Sequence, residues 1–315
     1  MVQIHALVRC EGEGTRLRPL TYRCCKAMVP LGPATALTFL LERLDDMPRS
    51  LDLTIAANER DVGLIRSAPY VRSSANVETF GRPTYADVLA MVRRMTTGAL
   101  SKAPVLCIPG DNYFEFDLNK MVECSEGISR SLVAVNCQQE SGLMAIDFDE
   151  AQRVTSYVES MSRNVATGIV LIHPADFGLV EAFGESGDCG GLVEFLASEK
   201  TIDAFPFSEY WADIGSGRPF LETSIRTLSA SETPHGGYRL LADSRNDCTY
   251  ASRTARISSS YTRHCVIGSD VDLTNCSLEE CYVAPGVELR NVSASGALID
   301  RPDCPSVGST TCRRQ

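Results

Sequence analysis

Short apolar runs alternate with amphipathic stretches through most of the chain, and this alternation restricts the fold more than any other feature. The runs HALVRC, LDLTIAAN, APVLCIP and SLVAVN have the length and composition of buried strands. Two sets of apolar residues between these runs recur at helical spacing: Leu37, Leu40, Leu41 and Leu44, and then Val88, Leu89, Val92 and Met95. This order predicts an α/β fold with a doubly wound, mixed but mostly parallel sheet.

The pattern changes after about Ser229. Apolar residues then recur at steps of about two or six, which resembles the hexapeptide repeats of a left-handed parallel β-helix of about two coils. The residues concerned are Ile267, Val271, Leu273, Cys276, Leu278, Val283, Val287, Leu289 and Val292. An ordinary β-meander is the alternative. We predict an α/β domain over 1–230, a linker over 231–250, a short β-helix over 251–300 and a loose tail over 301–315.

Composition excludes several classes of protein. The 315 residues carry a formal net charge of -10, which argues against a nucleic-acid-binding protein. No stretch approaches the roughly 20 apolar residues of a membrane span, and the N-terminus reads as a strand rather than a signal peptide. The 13 cysteines are odd in number and form no CxxC pair, so reduced thiols in a cytoplasmic protein are expected.

The segment EGEGTRLRPLTYRCCKAMVPL, which follows the first predicted strand, concentrates features of a phosphate site. Gly12 and Gly14 allow consecutive backbone amides to approach an anion closely. Arg16, Arg18 and Lys26 add fixed positive charge within a few residues. Neither a P-loop nor a dinucleotide fingerprint is present. The segment therefore predicts a site for a triphosphate.

The combination GEGTRLRPLT and KAMVPL resembles the signature of the sugar-1-phosphate nucleotidyltransferases, or NDP-sugar pyrophosphorylases. Four further stretches resemble motifs of this family in the family's order: VLCIPGDN, SGLMAIDFDEAQRVTSYVES, ATGIVLI and WADIGS. The C-terminal repeats resemble the β-helix of longer members, such as those specific for glucose 1-phosphate or mannose 1-phosphate. The resemblance implies a Rossmann-like nucleotidyltransferase fold.

The resemblance also implies a reaction and a set of residues. A sugar 1-phosphate would attack the α-phosphorus of an NTP (dTTP, UTP or GTP) and release pyrophosphate. Arg16 and Lys26 would be catalytic, and Mg²⁺ would be held by Asp111 and Asp213. The nucleotide would be bound by Gly12, Gly14, Thr15 and Arg16, and the sugar by Gly142, Glu159 and Gly168. The short β-helix would suit a homo-oligomer.

The sequence departs from the family pattern at several positions. Glu11 replaces a glycine, Cys25 replaces a proline, and Ser160 replaces the lysine expected to bind the sugar phosphate. Arg163 is a candidate substitute for that lysine. The absence of the lysine suggests that the substrate is an unusual sugar phosphate or a cyclitol phosphate. The segment FGRPTYADVL lacks the glutamine and glycine expected where the base is read.

Each assignment has a simpler alternative. Taken alone, Asp111 is a turn former, Asp213 a helix N-cap, and Glu159 and Lys26 solvated surface residues. The departures also leave open a regulatory relative that binds sugar nucleotides without turning them over. A third alternative, an acyltransferase built on the β-helix, has little support because no catalytic histidine is recognisable in that region.

Overall fold

The residues of the chain that the computed structural model describes are 3–22, 24–32, 34–72, 75–79, 88, 90, 92–94, 103–137, 144–159, 164–186, 191–229, 238–243, 245–300, 305–306 and 313–314. They fall into two units, each built from two segments of chain. The first unit combines Met1–Gly12 with Leu40–Trp211, and the second combines Glu13–Phe39 with Ala212–Gln315.

The first unit contains a nine-stranded sheet. Its strands are β1 Ile4–Cys10, β2 Leu51–Ala57, β3 Asn76–Thr79, β4 Val105–Pro109, β6 Ser131–Asn136, β7 Met144–Phe148, β8 Val154–Glu159, β9 Val165–Ile172 and β10 Ile202–Phe207; two short strands outside it are β5 Asn112–Phe114 and β11 Trp211–Asp213.

The central path of the sheet runs β10-β6-β9-β4-β1-β2-β3, and the hairpin β7-β8 joins it through β9. All neighbours along this path are parallel except the two pairs that β9 makes. The mixed, mostly parallel sheet is therefore confirmed.

The helices follow the predicted alternation. They are α1 Ala36–Asp45, α2 Val62–Ser67, α3 Leu118–Ile128, α4 Phe177–Ser186, α5 Leu192–Ser198 and α6 Gly217–Ser229. The four leucines predicted to form one face of α1 are all buried. In the second predicted helical pattern, Val88 and Val92 are helical and buried, whereas Leu89 and Met95 lie outside the described residues.

The core of the first unit forms where the sheet meets its helices. Leu7, Val133 and Val170 of the sheet are buried in one cluster with Phe177 of α4 and Leu196 of α5. The apolar runs of the sequence produce this cluster because strands covered on both faces need apolar residues at nearly every position.

The C-terminal part of the second unit is a parallel β-helix, as predicted. Its strands form three sheets in which partners in successive coils are parallel. The left-handed sense of the coil stays a prediction. The first sheet holds β14 Thr249–Ser252, β17 Val266–Ile267, β20 Tyr282–Val283 and β23 Leu298–Ile299; the second holds β13 Asn246–Asp247, β16 Tyr261–Arg263, β19 Ser277–Glu279 and β22 Val292–Ser295; the third holds β15 Arg256–Ser258, β18 Asp272–Thr274 and β21 Glu288–Arg290.

The coils are shorter and more numerous than the hexapeptide pattern predicts. Equivalent residues such as Asn246 and Thr262 are 16 positions apart, against about 18 for three hexapeptides. The shorter coil reflects its corners, where single left-handed residues such as Ser259, His264 and Asp270 turn the chain. Three complete coils are present where about two were expected, because the parallel pairing begins at β13, before the predicted start at residue 251.

The segments predicted as a linker and as a loose tail both contain strands. The predicted linker contains β13 and also β12 Tyr238–Leu241, which pairs antiparallel with β14. The predicted loose tail contains β24 Pro305–Ser306 and β25 Arg313–Arg314, which pair antiparallel with β23 and β22. Backbone pairing with the first and last coils explains both differences, since a coil end otherwise leaves a free strand edge. The boundaries at 230, 250 and 300 stay predictions.

Side-chain burial in the β-helix follows the predicted pattern with one exception. All the apolar residues predicted to point inward are buried except Val292, which is half-buried, whereas Ala294 of the same strand is buried. The described cysteines all carry free thiols. None of the helices in the described part of the chain has the length and hydrophobicity of a membrane span.

Candidate functional site

The phosphate-site segment of the second unit begins with a left-handed turn at Gly14. The backbone there has φ 64° and ψ 34°, and a 3₁₀ turn over Thr15–Leu17 follows. The first hydrogen bond of this turn runs from the Leu17 amide to the Gly14 carbonyl at 2.9 Å. The amides of Thr15 and Arg16 precede that bond, as the first amides of a helical turn do. Amides so placed can bind an anion.

Gly14 is packed against the middle of the segment. The Thr21 hydroxyl donates to the Gly14 carbonyl at 2.7 Å. A Cβ at position 14 would lie 2.7 Å from Thr21 Cγ2 and 3.1 Å from Lys26 Cγ. The predicted residues Gly14 and Lys26 are therefore in contact, and Thr21 was missed by sequence reasoning although it lies within the quoted motif.

Arg16 and Asp213 also lie together in the second unit. The guanidinium Nη2 is 4.0 Å from Asp213 Oδ2, and the side chains are 65% and 27% exposed. Asp213 Oδ1 accepts the Gly215 amide at 2.8 Å, so the carboxylate orders the turn that precedes α6. Asp213 is not the N-cap of α6, because that helix begins at Gly217 and the Gly215 amide precedes it.

The backbone at Cys25 has a conformation that proline would also adopt. Cys25 has φ -66° and ψ 159° and precedes the 3₁₀ turn Lys26–Met28. A proline ring would fix φ near the same value, about -65°. Cys25 is buried, so its side chain fills the place beside Lys26 without adding an exposed polar group.

Asp111 lies in the first unit, in the turn after β4. Its side chain is 8% exposed, and the Gly110 amide before it donates to the Arg9 carbonyl at 2.8 Å. The next residue, Asn112, accepts a 2.7 Å hydrogen bond from the Trp211 indole, and both groups are buried. This bond fixes the backbone beside Asp111, which the sequence did not reveal because the two residues are 99 positions apart.

The structure describes only some of the residues predicted to bind the sugar. Gly168 in β9 has φ +78°, and a Cβ there would lie 3.2 Å from Pro109 Cγ, so packing alone is a reason for glycine. Glu159 ends β8 and pairs with Met144, and its side chain is outside the described residues. Gly142, Ser160 and Arg163 also lie outside the described residues.

Glu11, the first departure from the family signature, is turned into the protein. Its side chain is buried, and Oε2 lies 4.0 Å from Nε of Arg9. The Asn58 amide group donates to the Glu11 carbonyl at 3.4 Å. The negative charge of Glu11 therefore faces the Arg9 guanidinium of β1, which reduces the repulsion that this carboxylate would exert on a phosphate.

The donor chemistry of Asp111 and Asp213 fits a magnesium ion. Within the described residues, no group of three or more His, Cys, Asp or Glu side chains is arranged to hold a metal. Mg²⁺ differs from such caged ions, since it usually takes one or two carboxylates and completes its shell with water and substrate phosphates. Asp111 and Asp213, each taken within its own unit, offer the carboxylate oxygens that this ion prefers.

Comparison with known proteins identifies the family. The model of the family described as Nucleotidyl transferase matches residues 6–229. Mannose-1-phosphate guanyltransferase of Pichia angusta is 24% identical over 235 residues, which are 71% of this chain and 64% of that protein. Bifunctional protein GlmU of Methanocaldococcus jannaschii is 25% identical over 236 residues, which are 72% of this chain and 55% of that protein. The chain thus spans less than two thirds of the length of these curated relatives.

A solved structure shares the fold. A Bacillus anthracis protein described as a glucose-1-phosphate thymidylyltransferase has a TM-score of 0.56 at 15% identity, over 70% of this chain and 94% of that one. At this identity the likeness concerns the fold alone. The family match, by contrast, covers most of β1, the turn at Gly14, Lys26, Asp111 and Asp213 in a single span. The chain therefore belongs to the nucleotidyl transferase family.

Proposed function

We propose that this chain transfers a nucleotidyl group from an NTP to a sugar 1-phosphate and releases pyrophosphate. The observation that carries the proposal is the segment at Gly14, where a left-handed turn presents the amides of Thr15 and Arg16 and packs against Lys26. A triphosphate that is attacked at its α-phosphorus needs such a set of amides and cations.

The residues of this segment have different roles in the proposed reaction. Gly12, Gly14 and the amides of Thr15 and Arg16 bind the phosphates and orient the α-phosphorus for attack in line. The exposed Arg16 guanidinium neutralises the departing pyrophosphate. Lys26 neutralises charge that develops at the α-phosphate. The sugar phosphate is the nucleophile, so the protein needs no nucleophile of its own.

Asp111 and Asp213 would hold Mg²⁺, which supplies further charge neutralisation at the phosphates when bound. Gly142, Glu159 and Gly168 are proposed to line the sugar site. The absence of the expected lysine at Ser160 favours an unusual sugar or a cyclitol phosphate as acceptor. We further propose that dTTP, UTP or GTP is the donor and that the protein is a cytoplasmic homo-oligomer.

The proposal is tested by pyrophosphate release. The wild-type protein is assayed with Mg²⁺, five NTPs and a panel of sugar and cyclitol 1-phosphates. We expect release that needs one NTP, one acceptor and the metal. In Asp111→Asn the loss of one charge-assisted contact is expected to lower turnover about tenfold or more. Asp46→Asn, at an exposed position just after α1, is the matched control and should retain full activity.

Two results would contradict the proposal. One is nucleotide binding, seen as a thermal shift, without pyrophosphate release for any pair on the panel; it would favour the regulatory relative. The other is release that is unaffected by chelation and by Asp111→Asn, which would remove the assigned roles of Mg²⁺ and Asp111.

Gly14→Ala is expected to weaken nucleotide binding about tenfold or more. Alanine at φ 64° costs roughly 1–2 kcal/mol, and its methyl group would displace Thr21 and press on Lys26. Both effects move the amides of Thr15 and Arg16 away from their positions. Binding of the NTP by calorimetry measures the change. The control is Gly63→Ala in α2, where no atom lies within 4 Å of the added carbon. Equal NTP affinity in Gly14→Ala and wild type would contradict the role of the turn.

A further inference from the structure

A tyrosine of the β-helix contacts the segment that carries Lys26. Tyr282 in β20 is 1% exposed, and its hydroxyl donates to the Pro30 carbonyl at 3.1 Å. Its ring lies edge-on to Phe220 of α6, with centroids 4.9 Å apart. The ring is therefore held from the side while the hydroxyl points at the backbone of the segment.

The residues between Lys26 and Pro30 are tightly packed. Ala27, Val29 and Leu31 are buried, and the Val29 amide donates to the Lys26 carbonyl at 3.2 Å. Pro30 forms an isolated antiparallel bridge with Thr35, so the segment closes on itself just past the Tyr282 contact. A shift of Pro30 is thus passed to Lys26 through one short turn.

A second hydrogen bond holds the neighbouring carbonyl. The Thr227 hydroxyl of α6 donates to the Leu31 carbonyl at 2.7 Å. Gly32 follows with φ +95° and would place a Cβ 2.8 Å from Leu228 of the same helix. Adjacent carbonyls of the segment are therefore held by different elements, α6 at Leu31 and the β-helix at Pro30.

We propose that Tyr282 is a positioning residue for Lys26, through which the β-helix fixes the catalytic segment against Gly14. The proposal rests on the proposed function and adds a role for the appended coils. Burial raises the pKa of the Tyr282 phenol above its ordinary value, so the hydroxyl remains a donor throughout the working range of pH. Lys26 itself contacts the substrate, and Tyr282 acts only through the Pro30 carbonyl.

The test compares Tyr282→Phe with two controls. Tyr250→Phe removes a hydroxyl from the equivalent position two coils earlier in the same sheet. Leu278→Val removes one buried methylene from the coil interior and lowers stability without touching the segment. For each variant, kcat, KM for the NTP and the melting temperature are measured, together with hydrogen exchange of the amides of Met28, Val29 and Leu31.

In Tyr282→Phe we expect kcat to fall about three- to tenfold, the range of one net hydrogen bond, with KM changed by less than about twofold. Exchange at Met28, Val29 and Leu31 should accelerate by a similar factor. Both controls should keep the wild-type kcat and the wild-type exchange at these amides. A loss of kcat without faster exchange, or the same losses in Leu278→Val, would overturn the positioning role.

The outcomes also separate this inference from the function on which it rests. A wild-type protein without turnover on the whole panel would overturn the proposed function, whereas exchange at Met28, Val29 and Leu31 in Tyr282→Phe would still test whether Tyr282 holds the segment. Unchanged kcat and exchange in Tyr282→Phe, measured in a wild type that is active, would overturn the positioning alone.

Discussion

Replacing Lys26 with alanine is expected to lower kcat by about 10²-fold or more. The ammonium group is proposed to meet charge that develops at the α-phosphate, and loss of one such preorganised donor typically costs about 10²–10³ in rate. The contact of Lys26 with Gly14 places its stem beside the turn that binds the phosphates. Because this interaction strengthens in the transition state, the change should appear in kcat more than in KM. Steady-state pyrophosphate release measures both constants.

Two variants control the Lys26 experiment. Lys120→Ala removes an exposed lysine from α3 and should leave kcat unchanged. Lys26→Arg keeps the charge but replaces a compact ammonium with a planar guanidinium, so we expect it to restore only part of the rate. A kcat for Lys26→Ala within about threefold of wild type would remove Lys26 from the catalytic group and leave charge neutralisation to Arg16.

Gly268→Ala is expected to destabilise the second unit by about 3 kcal/mol or more. The added carbon would lie 2.6 Å from the backbone nitrogen of Pro285 and 2.9 Å from the carbonyl oxygen of Val283. Neither backbone atom can move without separating two coils, and the Gly268 amide already donates to that carbonyl at 2.8 Å. Overpacking and the loss of this hydrogen bond add together. Calorimetry should record a fall in Tm of roughly 6–12 °C.

The matched control places the same methyl group where there is space. Gly127 lies in α3 with no atom within 4 Å of an added Cβ, so Gly127→Ala should stabilise its helix by about 0.5–1 kcal/mol. A Tm for Gly268→Ala within about 2 °C of wild type would show that the coils separate at little cost. The stacking assigned to the β-helix would then be incorrect at Val283 and Pro285.

The spacing of apolar residues predicted the strands and helices because the burial of each element depends on residues close together in the sequence. Strands β1, β2, β4 and β6 coincide with the apolar runs, and the leucine spacing predicted α1. The predicted coil length was wrong because the hexapeptide pattern gives six residues to each of the three sides of a coil. Left-handed corners at residues such as His264, Asn275 and Glu280 shorten the sides, and most residues tolerate that conformation only when neighbours enforce it.

The sequence by itself determined the family, the order of strands and helices along the chain, and the chemistry gathered between Gly12 and Lys26. These follow from residue types within a short span, where amides and cations can act on one phosphate group. Only the tertiary structure decided that Tyr282 and Thr227 hold the Pro30–Leu31 backbone and that Trp211 fixes Asn112. Those hydrogen bonds join residues separated by 252, 196 and 99 positions, and no local pattern encodes them. They form because a buried carbonyl or amide must find a partner, and the fold selects which distant side chain supplies it.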